Sequence, residues 1–169
     1  QVRKDLSYFG EIGKRGVGYQ VGKLRDYIAD ILSFPRVWRL ALAGVGNMGS
    51  ALLSNAAFRG PKITFEALFD ADPEKVNREI SGVRCWHYTE MPKVMSELRI
   101  EVLILTVPAK AAQQCVDLAV SSGGLKGVLS LTQSPLTIPP DILLARVDIL
   151  AGLEKLLFFL KQAYPHTDV

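Results

Sequence analysis

At 169 residues the chain is long enough for one well-buried domain with a small appendage, and too short for two full enzyme domains. With 49% hydrophobic and 22% charged residues it has the balance of a globular protein, and no apolar run approaches the roughly 20 residues that span a bilayer. The net charge of +3 is unevenly placed, because Arg3, Lys4, Lys14, Arg15, Lys23 and Arg25 face only Asp5 and Glu11 near the start, leaving the remainder close to neutral.

A basic end on a near-neutral body suits either a polyanion contact confined to that end or an ordinary solvated surface. Nothing at the start resembles a secretory signal, and Cys85 and Cys115 show neither metal-ligand spacing nor a disulfide framework. The expectation is a cytoplasmic protein with reduced, buried thiols and no metal.

In chain order, "QVRKDLSYFGEIGKRGVGY" reads as the end of one helix, a turn and a Gly-rich basic hairpin. From Val37 the punctuation changes. A short apolar run, Val37 to Ala43, passes through glycines and resumes as a helical pattern. "TFEALFDADPEK" predicts a second strand ending at Asp70 and then a helix, with Asp72 as its cap and Pro73 at its first position. "EVLILTVPA" is an unbroken apolar run, the pattern of a strand buried on both faces of a parallel sheet. "KAAQQCVDLAVSSGG" predicts a helix stopping at Gly123–Gly124, and "KGVLSL" and "LARVDIL" predict two further strands. Strands alternating with helices in this way specify an α/β fold with a doubly wound, mostly parallel sheet.

The first turn carries the chemistry. Gly44, Gly46 and Gly49 form G-x-G-x-x-G directly after a strand and before a helix. The first glycine permits a tight turn, the second lets the backbone approach a pyrophosphate, and the third lets helix and strand pack closely. The N–H groups and dipole of the following helix suit phosphate. Asp70 lies 21 positions beyond Gly49, at the end of the second strand. A carboxylate there can accept from both ribose hydroxyls and repel a 2′-phosphate, favouring NAD(H) over NADP(H). The other reading is that Asp70 only opens the "DADP" turn. Thr106, Val107 and Pro108 end the long apolar strand, where they either pack under an adenine or ribose or form a plain strand-to-helix corner.

A dehydrogenase also needs a substrate domain and an acid–base group near the nicotinamide. The sheet uses nearly everything from Val37 to Ile149. His87, in "RCWHYTE", reads as a strand or surface residue, and His166 lies in the tail. The chain therefore reads as a binder of a dinucleotide and not an enzyme. A small NAD-dependent oxidoreductase and a CoA-binding Rossmann domain are the competing readings. The tail "ILAGLEKLLFFLKQAY" repeats Leu150, Leu153, Leu156, Leu157 and Leu160 at helical spacing, and Phe158 and Phe159 widen that stripe. Such a helix needs partners on more than one side, which predicts a homodimer.

"QVRKDLSYFG", "GKRGVGY", "GVGNMGSAL", "FDADPEK", "LTVPA" and "VDILAGL", in this order, resemble the redox-sensing transcriptional repressor family Rex across nearly the whole chain. The resemblance implies an N-terminal winged helix joined to a Rossmann domain that senses the NADH/NAD⁺ ratio. It also implies a homodimer with swapped C-terminal helices, released from a palindromic operator by NADH. Residues 1–27 would be the recognition helix and wing, 28–36 a linker, 37–150 the NAD(H)-binding domain and 151–164 the dimerisation helix. Gln1, Arg3, Lys4 and Ser7 would meet DNA, with Lys14 and Arg15 at the wing tip, where cations suit a narrow minor groove. Gly44, Val45, Gly46, Asn47, Met48 and Gly49 would hold the pyrophosphate, Asp70 the ribose, and Asp148 would approach the partner's nicotinamide pocket.

The sequence departs from the family pattern at the nicotinamide end. Asn55 stands where the family often has a tyrosine on the first Rossmann helix. Thr132, Gln133, Ser134 and Pro135 stand where it favours Asn-Phe-Ala-Pro. These changes predict altered discrimination between NADH and NAD⁺. The helices that precede a recognition helix are missing before Gln1, so the resemblance implies a fragment of a longer repressor, the expected case, or a natively truncated product.

Overall fold

The computed structural model describes residues 21, 22, 25, 36–58 and 60–164. The chain divides into two units, Gln1–Arg36 and Val37–Val169. Within the first, Val21, Gly22 and Arg25 are helical and exposed.

The second unit is built on seven strands: β1 (Trp38–Ala43), β2 (Ile63–Asp70), β3 (Glu79–Ile80), β4 (Val83–His87), β5 (Val102–Leu105), β6 (Gly127–Ser130) and β7 (Leu143–Arg146). Their order in the sheet is β3-β4-β2-β1-β5-β6-β7, and every pair is parallel except the β3–β4 hairpin. Among the described residues four α-helices accompany them: α1 (Asn47–Ser54), α2 (Met91–Glu97), α3 (Ala109–Ser121) and α4 (Ile149–Ala163).

Side-chain alternation along the strands builds two cores. Ala41 and Ala43 of β1, Leu103 and Leu105 of β5 and Phe69 of β2 face Met91, Val94 and Met95 of α2 and Ala112 and Val116 of α3. Leu40, Leu42, Leu68 and Ile104 point the other way and pack with Leu53 of α1 and with Cys85. Successive strand residues point to opposite faces, so an uninterrupted apolar run is what two covered faces require. Each fully buried Leu, Ile or Phe contributes about 1.5–3 kcal/mol, so the central strands anchor the fold.

The order of the strands positions the site. From β1 the chain moves outward to β2 on one side, and β5 then pairs with β1 on the other. Where the order reverses, the loops after β1 and β5 diverge and leave a crevice at the carboxyl edge of the sheet.

Two local expectations are corrected. The helix predicted after Asp70 does not form. Asp72 does cap a turn, accepting the Glu74 N–H at 2.9 Å, and its carbonyl accepts from Lys75 and Val76. The segment stops there because Asn77 adopts a left-handed conformation (φ 63°) and gives its N–H to Cys85 O, which turns the chain into the β3–β4 hairpin. Ser81 and Gly82, at φ 54° and 83°, form the tight turn of that hairpin. Asn55 is the other correction. It lies just beyond α1 in extended backbone, and its Oδ1 accepts the Ala57 N–H at 2.9 Å. This short side-chain-to-backbone bond competes with continued helix and ends α1 one residue early.

The helix expected over 151–164 runs Ile149–Ala163, because Asp148 caps it by accepting the Ala151 N–H at 2.8 Å. All its residues are exposed in the single chain.

Candidate dinucleotide-binding site

The three glycines sit in three different environments. Gly44 has φ +92°, and a Cβ there would lie 2.7 Å from the Thr106 carbonyl oxygen. At Gly49 a Cβ would lie 2.2 Å from the Gly44 carbonyl oxygen, inside the contact between helix and turn. Gly46 is the opposite case, with nothing within 4 Å of the position of a Cβ. Two glycines are therefore fixed by the protein's own packing, while the third keeps a surface open to an approaching ligand. Gly46 immediately precedes α1, whose first residues, Asn47 and Met48, are exposed. The first turn of α1 carries no acidic side chain to oppose an anion.

Asp70 binds this loop to β2. One carboxylate oxygen accepts the Val45 N–H at 2.7 Å, and the other accepts the Asp72 N–H at 3.0 Å. The Val45 side chain is turned into the core at 3% exposure, so its backbone alone serves the loop. Thr106 fastens the opposite wall: its hydroxyl lies 2.6 Å from the Gly44 carbonyl and 3.0 Å from that of Ala43. Val107 and Pro108 continue this wall into the start of α3.

These elements enclose a cleft of about 510 Å³ lined by Gly44, Gly46, Asp70, Thr106, Val107 and Pro108, all expected from the sequence. Its size suits a small-molecule site, for which roughly 300–1,000 Å³ is usual. Phe69, Ala71, Lys75, Tyr88, Ala111, Gln114 and Cys115 complete the lining, and none of them is expected there from the sequence. Lys75 arrives on the Asp72-capped turn that stands in place of the expected helix, and Tyr88 arrives just past β4 of the hairpin. Ala111, Gln114 and Cys115 come from one face of α3, as three- and four-residue helical spacings allow.

Asn47, Met48, Gly49 and Val45 flank the cleft without lining it. Asp148 lies apart from it, capping α4, with its Oδ1 3.4 Å from the Gln133 amide nitrogen. Thr132 to Pro135 form a loop held by its own hydroxyls. The Ser130 Oγ accepts the Thr132 N–H at 3.3 Å, and the Thr132 Oγ1 accepts that of Ser134 at 3.5 Å. Gln1, Arg3, Lys4, Ser7, Lys14 and Arg15 lie outside the described residues, as does His166. His87 is half-buried, with Nδ1 2.7 Å from the Thr89 hydroxyl, and does not line the cleft.

The charge balance at the Asp70 end is set locally. The Glu74 N–H and the Lys75 ammonium hold the Asp72 carboxyl below its ordinary range. Both thiols move the other way. Burial, reinforced by the Asp70 carboxylate, pushes Cys85 and Cys115 up to about 11 from 9.0. Thiols so poised are poor nucleophiles at neutral pH. Among the described residues no cluster of His, Cys, Asp or Glu could hold a metal ion, and no helix is long and apolar enough to cross a membrane.

Comparison with known proteins places this geometry. Residues 36–134, more than half of the chain, match and belong to the family described as the CoA binding domain. The redox-sensing transcriptional repressor Rex of Thermus thermophilus is 44% identical over 158 residues, covering 94% of this chain and 74% of that protein. The chain belongs to the Rex family.

A second Rex, from Chloroflexus aurantiacus, is 36% identical over 166 residues, covering 98% of this chain and 78% of its own length. The crystal structure of RSP, a Rex-family repressor, in complex with β-NAD⁺ and operator DNA has a TM-score of 0.85 at 26% identity, over 96% of this chain and 75% of that one. RSP is also known in complex with β-NADH, with a TM-score of 0.83 at 24% identity. Rex proteins are named as repressors and not as enzymes, which sets aside the small oxidoreductase. The kinship with CoA-binding domains lies in the Rossmann core, over the residues that carry the glycine loop and Asp70.

Proposed function

We propose that this chain is a redox-responsive transcriptional repressor whose cleft holds NAD(H), and that occupancy of the cleft decides whether a homodimer grips a palindromic operator. The observation that carries the reading is the set of glycine environments beside Asp70. Two glycines are demanded by packing, and the third, Gly46, is left open where a phosphate needs close backbone approach.

The residues present fit a dinucleotide. Gly46, Asn47 and Met48, at the start of α1, would offer backbone N–H groups to the pyrophosphate, and Gly44 and Gly49 shape that turn. Asp70 would accept from the adenosine ribose, with Val107, Pro108 and Ala111 as the apolar wall. The bound group supplies the redox signal, since its nicotinamide ring is cationic when oxidised and neutral when reduced. Asp148 would sense that ring across the dimer. The complexes of RSP, a Rex-family repressor, with β-NAD⁺ and operator DNA and with β-NADH support NAD(H) as the ligand class.

The exposed apolar α4 supports a homodimer, because a face of this kind is otherwise an aggregation hazard. Gln1, Arg3, Lys4 and Ser7 would read the operator, and Lys14 and Arg15 would reach its backbone or minor groove. DNA and the dinucleotide pool meet in the cytoplasm, the place this function implies. Altered NADH/NAD⁺ discrimination rests on Asn55 and Thr132–Pro135, which stand outside the cleft lining of the single chain.

Titrating NADH and NAD⁺ separately, followed by operator gel shifts with each, tests the proposal. NADH binding that releases the operator is the expected result; binding of neither nucleotide contradicts the reading. A large NADH preference removes the altered discrimination. Displacement of NADH by CoA with higher affinity moves the cleft to the CoA reading that the domain family favours.

A further inference from the structure

Among the described residues lining the cleft, Lys75 is the only cation and Asp70 the only carboxylate. The Lys75 ammonium lies 3.5 Å from Asp70 Oδ2 and 3.3 Å from Asp72 Oδ2. Asp70 does not need this lysine for its orientation, since the Val45 and Asp72 N–H groups already hold its two oxygens at 2.7 and 3.0 Å. Asp72 is likewise held by the Glu74 N–H at 2.9 Å. What Lys75 adds is charge: one ammonium against two carboxylates, with Arg78 acting on Asp72 from farther away.

We propose that Lys75 is a specificity-determining residue of the cleft: its charge offsets Asp70 and Asp72 and sets how strongly the adenosine end rejects a ribose 2′-phosphate while admitting the pyrophosphate. The inference rests on the dinucleotide reading above. Coulomb interactions weaken with distance and with exposure to water. A 2′-phosphate would stand directly against Asp70, whereas the pyrophosphate lies toward Gly46. Losing the Lys75 charge therefore penalises NADP(H) more than NAD(H). A lysine that merely braced the turn would, when lost, weaken both equally.

The test is a fluorescence titration of NADH and NADPH against the wild type and Lys75→Gln, Lys75→Arg and Asp72→Asn, at low and high salt. Lys75→Gln should bind NADH a few-fold more weakly and widen the NADPH-to-NADH ratio of dissociation constants about tenfold, an effect that salt diminishes. Lys75→Arg should restore the ratio. Asp72→Asn, whose amide oxygen can still cap the Glu74 N–H, should narrow it. Equal losses for both nucleotides in Lys75→Gln, or an unchanged ratio in Asp72→Asn, overturn the inference while leaving the site intact. A wild type that binds neither nucleotide overturns the dinucleotide reading itself.

Discussion

The glycine turn and the terminal helix lie in one domain and stand in opposite relation to it. Every unusual residue of the turn except Gly46 answers to a neighbour within the chain: Gly44 to the Thr106 carbonyl, Gly49 to Gly44, and Val45 to the Asp70 carboxylate. In α4 almost nothing does. Leu153, Leu156, Leu157, Phe158 and Phe159 stand 48–59% exposed, and among the described residues the Asp148 cap ties its start to the Gln133 loop. The lesson is that a residue pattern unexplained inside one chain points outward, to a ligand at Gly46 and to a second copy at α4.

The largest effects should separate these regions most sharply. Gly49→Ala or Gly44→Ala should lower stability by about 3 kcal/mol in urea unfolding and abolish NADH binding, because backbone atoms occupy the space of the added methyl. Leu153→Glu with Leu157→Glu should do the reverse. The Rossmann core and its melting should survive, while the dimer dissociation constant rises at least about 100-fold in sedimentation experiments. An unchanged dimer would place the partner surface elsewhere.

Asp70→Ala should be intermediate. Two backbone N–H groups lose their acceptor, at a cost of about 1–2 kcal/mol in stability. NADH affinity should fall while the preference over NADPH shrinks, measured by the same titrations.

The smallest effect belongs to the thiols. Folding raises the pKa of Cys115 from 9.0 to about 11, so the contribution of this buried, protonated thiol is complete below pH 9 and lost as pH climbs to about 11. Above pH 9 the unfolded chain releases that proton before the folded chain does, so stability falls with pH. Cys115→Ala should flatten the decline in urea midpoints over that window; an unchanged slope would show that the thiol ionises freely in the fold.

The legible part of the site follows the same division. Gly44, Gly46, Gly49 and Asp70 could be read from sequence because their jobs are fixed by adjacent strand, turn and helix, at spacings set by backbone geometry. Lys75 and Tyr88 could not, since Lys75 sits on a turn in place of the expected helix and Tyr88 is carried to the cleft by a hairpin. Its signal, Ser81-Gly82 between "REI" and "VRCWH", was present but outweighed by the Asp-Pro helix start. Asp72 and Pro73 did begin a turn; Asn77 ended it. The leucines of α4 announced an apolar helix and its need for a partner, yet no pattern within one chain specifies the surface that covers them.

The account depends most on Gly46, the one glycine of the loop whose open space the protein leaves unused. Calorimetric titration of NADH into Gly46→Ala beside the wild type, with urea unfolding of both, tests it most directly. The account predicts unfolding within about 0.5 kcal/mol of wild type, as for a surface substitution, and NADH affinity at least about tenfold weaker. Equal NADH affinity in the two proteins would contradict it.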